Sequence, residues 1–584
     1  MKNTKKLVIG VALTVFMMCL LCLGASANYK SGPYSYDTKY LYDETGKYVE
    51  TVAHIYDVDA SLSGDVIIPS TLDGYRVNSF ESDAFRLNTN ITSVTIPNTV
   101  NYPPSGAFAG CSNLNSVYIP DTVKSLNDGM FYGCTNLKNI AIGSGVEYIG
   151  PSAFDGCKSL ENIILPDGLL TIGYEAFQGC TKLADITIPD SLTYIGAHAF
   201  RNCPSLKTNI KIPKEMTYIP TVIFEGCSSL TDITIHAGIT SIRSRAYWGC
   251  TSLTNVVIPD SVSTIGNYAF EGCTNLTDIT ISNSVKEISY GAFEYCSGIE
   301  RIDISDVTNW ININFANTQS NPFYYGADLY INGSYITDLE IPKGITSVNS
   351  INFPSGQNIE TVSIPESLTD ISLGTLRGCD NLESVEVDSD NTAYCSIDGV
   401  LFNKDKTTLI YYPPSKSDKN YTVPNSVKRI ESYAFEDCKY LESITIPTSV
   451  TEIGGSVFTK YKSLKDIYFC GTEAQWKAIS KGYNDFTGIT VHFVDEIPPI
   501  IDPPAPEPEE PDEPDVPDIP TDHEHDYDDD KDETCNTCGY DRTENCDCRC
   551  HNDNFFAKII WKIINFFNKI FKKNAICACG IAHY

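Results

Sequence analysis

Positive charge is scarce in this sequence. Lysine and arginine number 42 against 74 aspartates and glutamates in 584 residues, a net charge of −32. Nucleic-acid binding demands basic patches that displace counterions, so that class is excluded. Histidine is scarcer: there are eight, and up to Asp495 only His54, His198, His236 and His492, dispersed along the chain. There is no Walker loop, GxGxxG, HExxH or GxSxG. Tyrosine and aspartate are abundant, but no catalytic constellation emerges, and the expectation is a protein that is not an enzyme. Neither an LPxTG sorting signal nor a duplicated calcium loop of the dockerin kind is present, so any surface attachment would work another way.

What the chain has is repetition. TSLTNVVIPDSVSTIGNYAFEGC (251–273) is written again and again, and Cys273 has equivalents at Cys111, Cys134, Cys157, Cys180, Cys203, Cys227, Cys250 and Cys296. The step is 23 residues everywhere except 203 to 227, where it is 24. A period in the twenties with leucine and isoleucine at fixed offsets specifies a solenoid of stacked units. At 42% hydrophobic and 20% charged the chain can bury a large core.

Within a unit, Ile279 and Ile281 alternate with polar neighbours at the period of a half-buried strand. Pro259 after Ile258 ends its strand without needing a ladder donor. The second half, with Val262, Ile265, Gly266, Ala269, Phe270 and Cys273, would return the chain through a face outside the sheet. About seventeen recognisable units stacked roughly 4.8 Å apart predict a rod on the order of 80 Å long, in which no single unit is stable alone. The outward strand positions form two columns, one beginning Ser116, Asn139, Asn162 and the other Tyr118, Ala141, Ile164. Both are mostly small and polar, poor in the Trp, Tyr and Arg that dominate binding hot spots. His198 and His236 fall in ordinary repeat frames and read as solvated surface residues.

The pattern LxxIxIPxxVxxIGxxAFxGC resembles the BspA-like class of leucine-rich repeats over roughly residues 60–495. That resemblance extends to the interruptions: WININFANTQSNPFYYGADLYINGSYITDLEIP (310–342), DNTAYCSIDGVLFNKDKTTLIYYP (390–413) and CGTEAQWKAI (470–479). It implies a right-handed, curved solenoid with one parallel strand per repeat, used for adhesion or protein binding at a bacterial surface, without catalysis. The aromatic insert, with Trp310, Phe315, Phe323, Tyr324, Tyr325 and Tyr330, is the candidate contact area. In the alternative reading those rings seal the break between two repeat stacks. Eleven repeat-position cysteines, the nine above with Cys379 and Cys438, read either as a buried column of small thiols or as cross-repeat disulfides.

The flanks divide the chain further. Residues 1–27 read as a signal peptide: Lys2, Lys5 and Lys6 precede an apolar run from Leu7 to Leu23 and the small-residue site Ala25-Ser26-Ala27. The rival reading is an uncleaved membrane anchor. Residues 28–88 form an N-terminal cap with a first divergent repeat, 89–304 are regular repeats, 305–341 hold the aromatic insert, and 342–495 carry further repeats with a long unit and a closing unit. Residues 496–522 are a proline-rich acidic linker, expected to be extended. From Asp495 to Glu533 there are eighteen acidic residues against one lysine. Asp526 to Asp532 lacks the glycine and spaced closing glutamate of an EF-hand, so it reads as spacer and not as a calcium loop.

Residues 523–584 are a Cys/His-rich module. His523, His525, Cys535, Cys538, Cys546, Cys548, Cys550, His551, Cys577, Cys579 and His583 are candidate zinc ligands, of which Cys535 and Cys538 make a CxxCG knuckle. Disulfides, thiol chemistry and covalent anchoring are the open alternatives. Between these clusters an amphipathic helix is predicted over 555–573. Phe556, Ile559, Ile560, Ile563, Phe566, Phe567, Ile570 and Phe571 share one face opposite lysines that recur every turn. Such a helix would lie in a membrane interface, dock in a partner groove, or pack on its own flanking clusters. The predicted function is a secreted or cell-surface binding scaffold for an unknown protein or glycan of host or neighbouring cells. The alternative is a display scaffold for a zinc-binding or redox-active terminal module. No cofactor is expected in the repeats.

Overall fold

The computed structural model describes residues 28–494, apart from 208, 209, 352, 354, 355, 373 and 485. The signal segment 1–27, the linker, the eleven candidate zinc ligands and the 555–573 helix lie outside the described residues.

Most regular units lay down a strand of three to five residues whose inward positions are buried, as in Asn255–Ile258, where Val256 and Ile258 are buried and Asn255 and Val257 exposed. The next copy pairs with it in parallel at an offset of 23 residues, Asn255 beside Asp278 and Ile258 beside Ile281, and the one after continues to Arg301–Ile304. Register is held because slipping by one residue would turn every buried aliphatic outward.

The second half of the unit differs from expectation. It contains a further two-residue strand, Thr264–Ile265 in this copy, which pairs in parallel with Ser241–Ile242 and Glu287–Ile288. Two residues suffice because only Ile265 needs to enter the core, and the Gly266 amide then donates to the Ile242 carbonyl of the preceding unit. A third hydrogen-bonded column follows at the turn carrying Ala-Phe. The Phe177 amide donates to the Ala199 carbonyl and the Gly179 amide to that of Arg201, each at 2.8 Å. Two left-handed residues per turn, Glu175 and Gly179 in this unit, aim those amides along the stack.

That turn delivers a column of stacked rings. Phe108, Phe131, Phe154, Phe177, Phe200, Phe224, Tyr247, Phe270 and Phe293 follow one another with centroids 5.2 to 5.9 Å apart and planes nearly parallel, an offset stack.

Beside the rings runs the thiol column. Each repeat-position cysteine from Cys111 to Cys296 is fully buried and its Sγ–H donates to the carbonyl of the ring residue one unit earlier: Cys134 to Phe108 at 3.1 Å, Cys180 to Phe154 at 3.2 Å, Cys296 to Phe270 at 3.0 Å. The Phe108 carbonyl already accepts the Cys111 amide, so the thiol occupies its second lone pair across the unit boundary. All thirteen described cysteines are free, and burial pushes ten of the repeat thiols up, to about 12 for Cys111 and Cys227. Since the thiolate is the nucleophile, iodoacetamide applied to the native protein should leave the eleven repeat cysteines unmodified, while half-buried Cys395 and Cys470 react slowly. Mass mapping of modified peptides checks this; labelling of Cys180 without unfolding would contradict the column.

The ends differ from the repeats. Residues 29–80 supply a mostly antiparallel five-stranded sheet built on the long hairpin Tyr34–Tyr42 and Tyr48–Val58. Within it, buried His54 is held between Ser79 Oγ at 2.7 Å and Glu81 Oε1 at 2.8 Å. At the other end the helix Glu473–Ala478, capped by Thr472 and Gln475, sets Trp476 against Phe469 and Phe486.

The hydrophobic core is divided in two at the 390–413 unit. That unit is a pair of hairpins, Tyr394–Ile397 with Val400–Asn403 and the latter with Thr408–Tyr411. Leu401 and Tyr411 face the core that begins at Tyr34, whereas Val400, Phe402, Leu409 and Tyr412 face the core that ends at Ile479. Strand alternation lets one element serve both cores.

Candidate binding surface

The insert begins with Asp306, whose carboxylate accepts the Asn309 amide and caps the short helix Val307–Ile311. Trp310 on that helix is 1% exposed and packs against Phe315 and Phe323 at 5.3 and 5.2 Å. Phe315 extends the two-residue-strand column, pairing beside Ile288, and Phe323 is positioned by a short 3-10 turn that Asn321 caps. Trp310, Phe315 and Phe323 are therefore core residues, buried from solvent. A buried amide fastens this stretch to the next repeats. Asn358 accepts the Leu329 amide at 2.6 Å and donates to the carbonyls of Leu329 and Ile336.

The three tyrosines of the insert face outward to different degrees. Tyr324 is 59% exposed and meets the half-buried Tyr325 ring edge-on at 5.2 Å. Tyr330 pairs beside Asp303 in the long-strand column and lies under the Arg301 guanidinium at 3.8 Å. The Tyr325 hydroxyl accepts the Tyr295 amide, tying the insert to the last regular unit.

From Tyr295 an aromatic ridge continues backward along the turns. Arg245 lies 5.9 Å from the Trp248 ring and 5.6 Å from Tyr268, and Tyr268 meets Tyr290 edge-on at 5.5 Å. Gly291 is bare where Tyr268 leans: a Cβ there would stand 2.7 Å from the ring. Like Arg245 at +54° and Tyr268 at +57°, Tyr295 stands at a positive φ. Its φ of +60° falls at a turn position that is glycine in seven earlier units, among them Gly226, Gly249 and Gly272. A left-handed conformation costs a bulky residue about 1–2 kcal/mol, and such strain gathers at functional sites. The ridge escaped the reading of strand columns because these residues sit at turn positions, where packing does not repeat their identity. Comparing the turn columns finds Trp248, Tyr268, Tyr290 and Tyr295 directly.

Two sequence expectations change. His198 is half-buried with its ring tilted against that of Tyr174 at 5.0 Å, and His236 is half-buried with Nε2 at 3.2 Å from the Pro213 carbonyl and Nδ1 accepting the Gly238 amide. Neither is a solvated surface histidine, because the neighbouring unit covers one face of each. Burial also lowers the His198 pKa. Among the described residues no group of three or more His, Cys, Asp or Glu could hold a metal, and no helix is long and apolar enough to cross a membrane.

Residues 78–207, 205–321, 326–415 and 408–483 match the sequence description of the BspA type leucine rich repeat region in six copies. The chain belongs to the BspA-type leucine-rich repeat family. Solved structures similar to it include a leucine-rich repeat protein from Bacteroides ovatus ATCC 8483, 23% identical over 80% of this chain and 99% of that one, with a TM-score of 0.45. A leucine-rich repeat protein from Eubacterium ventriosum ATCC 27560 is 27% identical over 44% of this chain and 60% of that one, with a TM-score of 0.30. A leucine rich cell surface protein from Faecalibacterium prausnitzii A2-165 is 22% identical over 78% and 98%, with a TM-score of 0.27. No curated protein matches the chain. In BspA-type terms, the regular turn carries Ala-Phe and glycine, and the ridge lies where this chain departs from that regularity.

Proposed function

We propose that this BspA-type protein is a secreted, surface-displayed binding scaffold without catalytic activity, and that its contact surface is the ridge from Arg245 and Trp248 to Tyr324. The observation that carries this reading is the run of exposed Trp248, Tyr290, Tyr295 and Tyr324 along the turns, bridged by Arg245 and Tyr268, with Tyr295 kept at a position that disfavours it. Rigid aromatic side chains beside an arginine have the composition of interface hot spots. The partner class is a protein or glycan of host or neighbouring cells. In this reading residues 1–27 direct export and 523–584 retain the protein at the envelope.

Capture from matrix, polysaccharide and neighbouring-cell extracts tests the ridge. The triple variant Trp248→Ala, Tyr290→Ala, Tyr324→Ala should lose the partners retained by the full chain by at least about thirtyfold, since even a single hot-spot truncation costs about 2 kcal/mol or more. Its thermal transition should move little, because all three side chains are exposed. Equal capture by both proteins would remove the ridge from consideration. A sharper check is Tyr295→Gly, which should raise stability by about 1 kcal/mol through relief of left-handed strain while weakening capture. A gain in stability with undiminished capture would mean that Tyr295 does not serve the interface.

A further inference from the structure

The single 24-residue step leaves a mark that the ridge does not use. Between Asp185–Thr187 and Asn255–Ile258 the long-strand ladder has no assigned strand among the described residues, although 210–212 and 232–235 correspond to strand positions. The two-residue column also breaks at this step, with Tyr194–Ile195 and Tyr218–Ile219 ending separate ladders, while the turn column runs through, the Phe200 amide donating to the Ile223 carbonyl. On the long-strand side the same units line a cleft of about 600 Å³.

The lining of this cleft has two characters. Ile188, Leu192, Ile212 and Pro213 make an apolar floor. Ile188 is half-buried, whereas its counterparts Ile119, Ile258, Ile281 and Ile304 are at most 2% exposed; only Ile142, among the isoleucines of that column from 119 to 304, is also half-buried. The rim is cationic. Lys211 reaches Asp190 at 2.6 Å, an exposed pair of small energetic weight, and Lys214 has no ion-pair partner among the described residues. His236 lends a ring face, since both its nitrogens are engaged by Pro213 and Gly238. Residues 196–250 carry six lysines and arginines against three acids, in a chain whose net charge is −32.

From this cleft we infer a binding site for a small carboxylate-bearing amphiphile, its apolar body on Ile188, Ile212 and Pro213 and its carboxylate at Lys214. Concave apolar sites with a few placed polar groups are the usual form of small-ligand pockets. The charge complementarity selects an anionic head over a cationic or neutral one. A medium-length fatty carboxylate and the free C-terminus of an apolar peptide share this chemistry. The site stands apart from the ridge, so failure of either reading leaves the other intact.

Calorimetric titration of the purified full chain with decanoate below its micellar concentration tests the assignment, alongside decyltrimethylammonium, acetate, and an apolar tetrapeptide with a free or amidated C-terminus. Saturable one-site binding is expected for decanoate or for the free-acid peptide, whichever is tighter naming the source. The cationic and amidated probes should bind about tenfold or more weakly, and acetate not measurably. Lys214→Glu should weaken binding at least about tenfold while Lys214→Arg retains it, and Ile188→Asp should abolish it. Thermal unfolding of each variant confirms that the fold persists. Equal binding of anionic and cationic probes, an unchanged affinity in Lys214→Glu, or the absence of saturable binding would each overturn the proposal.

Discussion

Raised to pH 10 under reducing conditions, the solenoid should unfold. Ten of the buried repeat thiols, Cys111 through Cys273 with Cys379 and Cys438, have their pKa pushed up by desolvation. An unfolded thiol ionises near pH 8.5. Below that pH both states hold the proton and the neutral thiol contributes its full share. Above it the unfolded chain sheds protons that the folded chain retains, so stability falls as pH rises from about 8.5 toward the folded values. Each thiol loses about 1.4 kcal/mol per pH unit in that window. Ten together lose on the order of 20 kcal/mol by pH 10, more than the whole stability of an ordinary domain. Buried tyrosines such as Tyr247 and Tyr411, also shifted up by burial, steepen the fall. Equilibrium circular dichroism from pH 7.5 to 10.5 with a phosphine reductant measures it. A fold that keeps its full signal at pH 10.5 would show that these thiols do not constrain the folded state.

The second large effect comes from removing one ring. Phe177 lies between Phe154 at 5.2 Å and Phe200 at 5.5 Å, with planes 9° and 1° from its own, and it is fully buried. Phe177→Ala leaves a cavity that costs about 3–5 kcal/mol and interrupts two stacked contacts of roughly 0.5–1.5 kcal/mol each. In a nearly one-dimensional molecule that loss falls on one interface between units. The consequence is a change of mechanism as well as of midpoint: units before and after residue 177 should separate into two unfolding transitions. Hydrogen exchange should show protection lost first on both sides of residue 177. Phe177→Leu, which fills much of the volume but cannot stack, should fall between wild type and alanine. A single transition displaced by under 1 kcal/mol would refute the picture of the ring column as a coupling element.

The alternation at Ile279 and Ile281, the cysteine period and the Ala-Phe pair made the stack legible before any coordinates, because every buried position in a solenoid repeats and its signal is averaged over many copies. The same averaging hid the contact surface. A residue such as Tyr268 or Tyr295 appears once, in a turn column that packing leaves free to vary, so its neighbours cannot be inferred from its own unit.

Periodicity by itself determined that strands stack in parallel 23 residues apart and that leucine, isoleucine, phenylalanine and cysteine face inward. Only the tertiary structure decided that Trp310, Phe315 and Phe323 are core and Tyr324 is surface. Tertiary packing also directed each thiol hydrogen to a carbonyl one unit earlier, and kept the turn column continuous across the 24-residue step while the two-residue column breaks there. The physical reason is common to all three. Burial of a repeated position is dictated by a local pattern, whereas the fate of an unrepeated one depends on what the neighbouring unit places beside it.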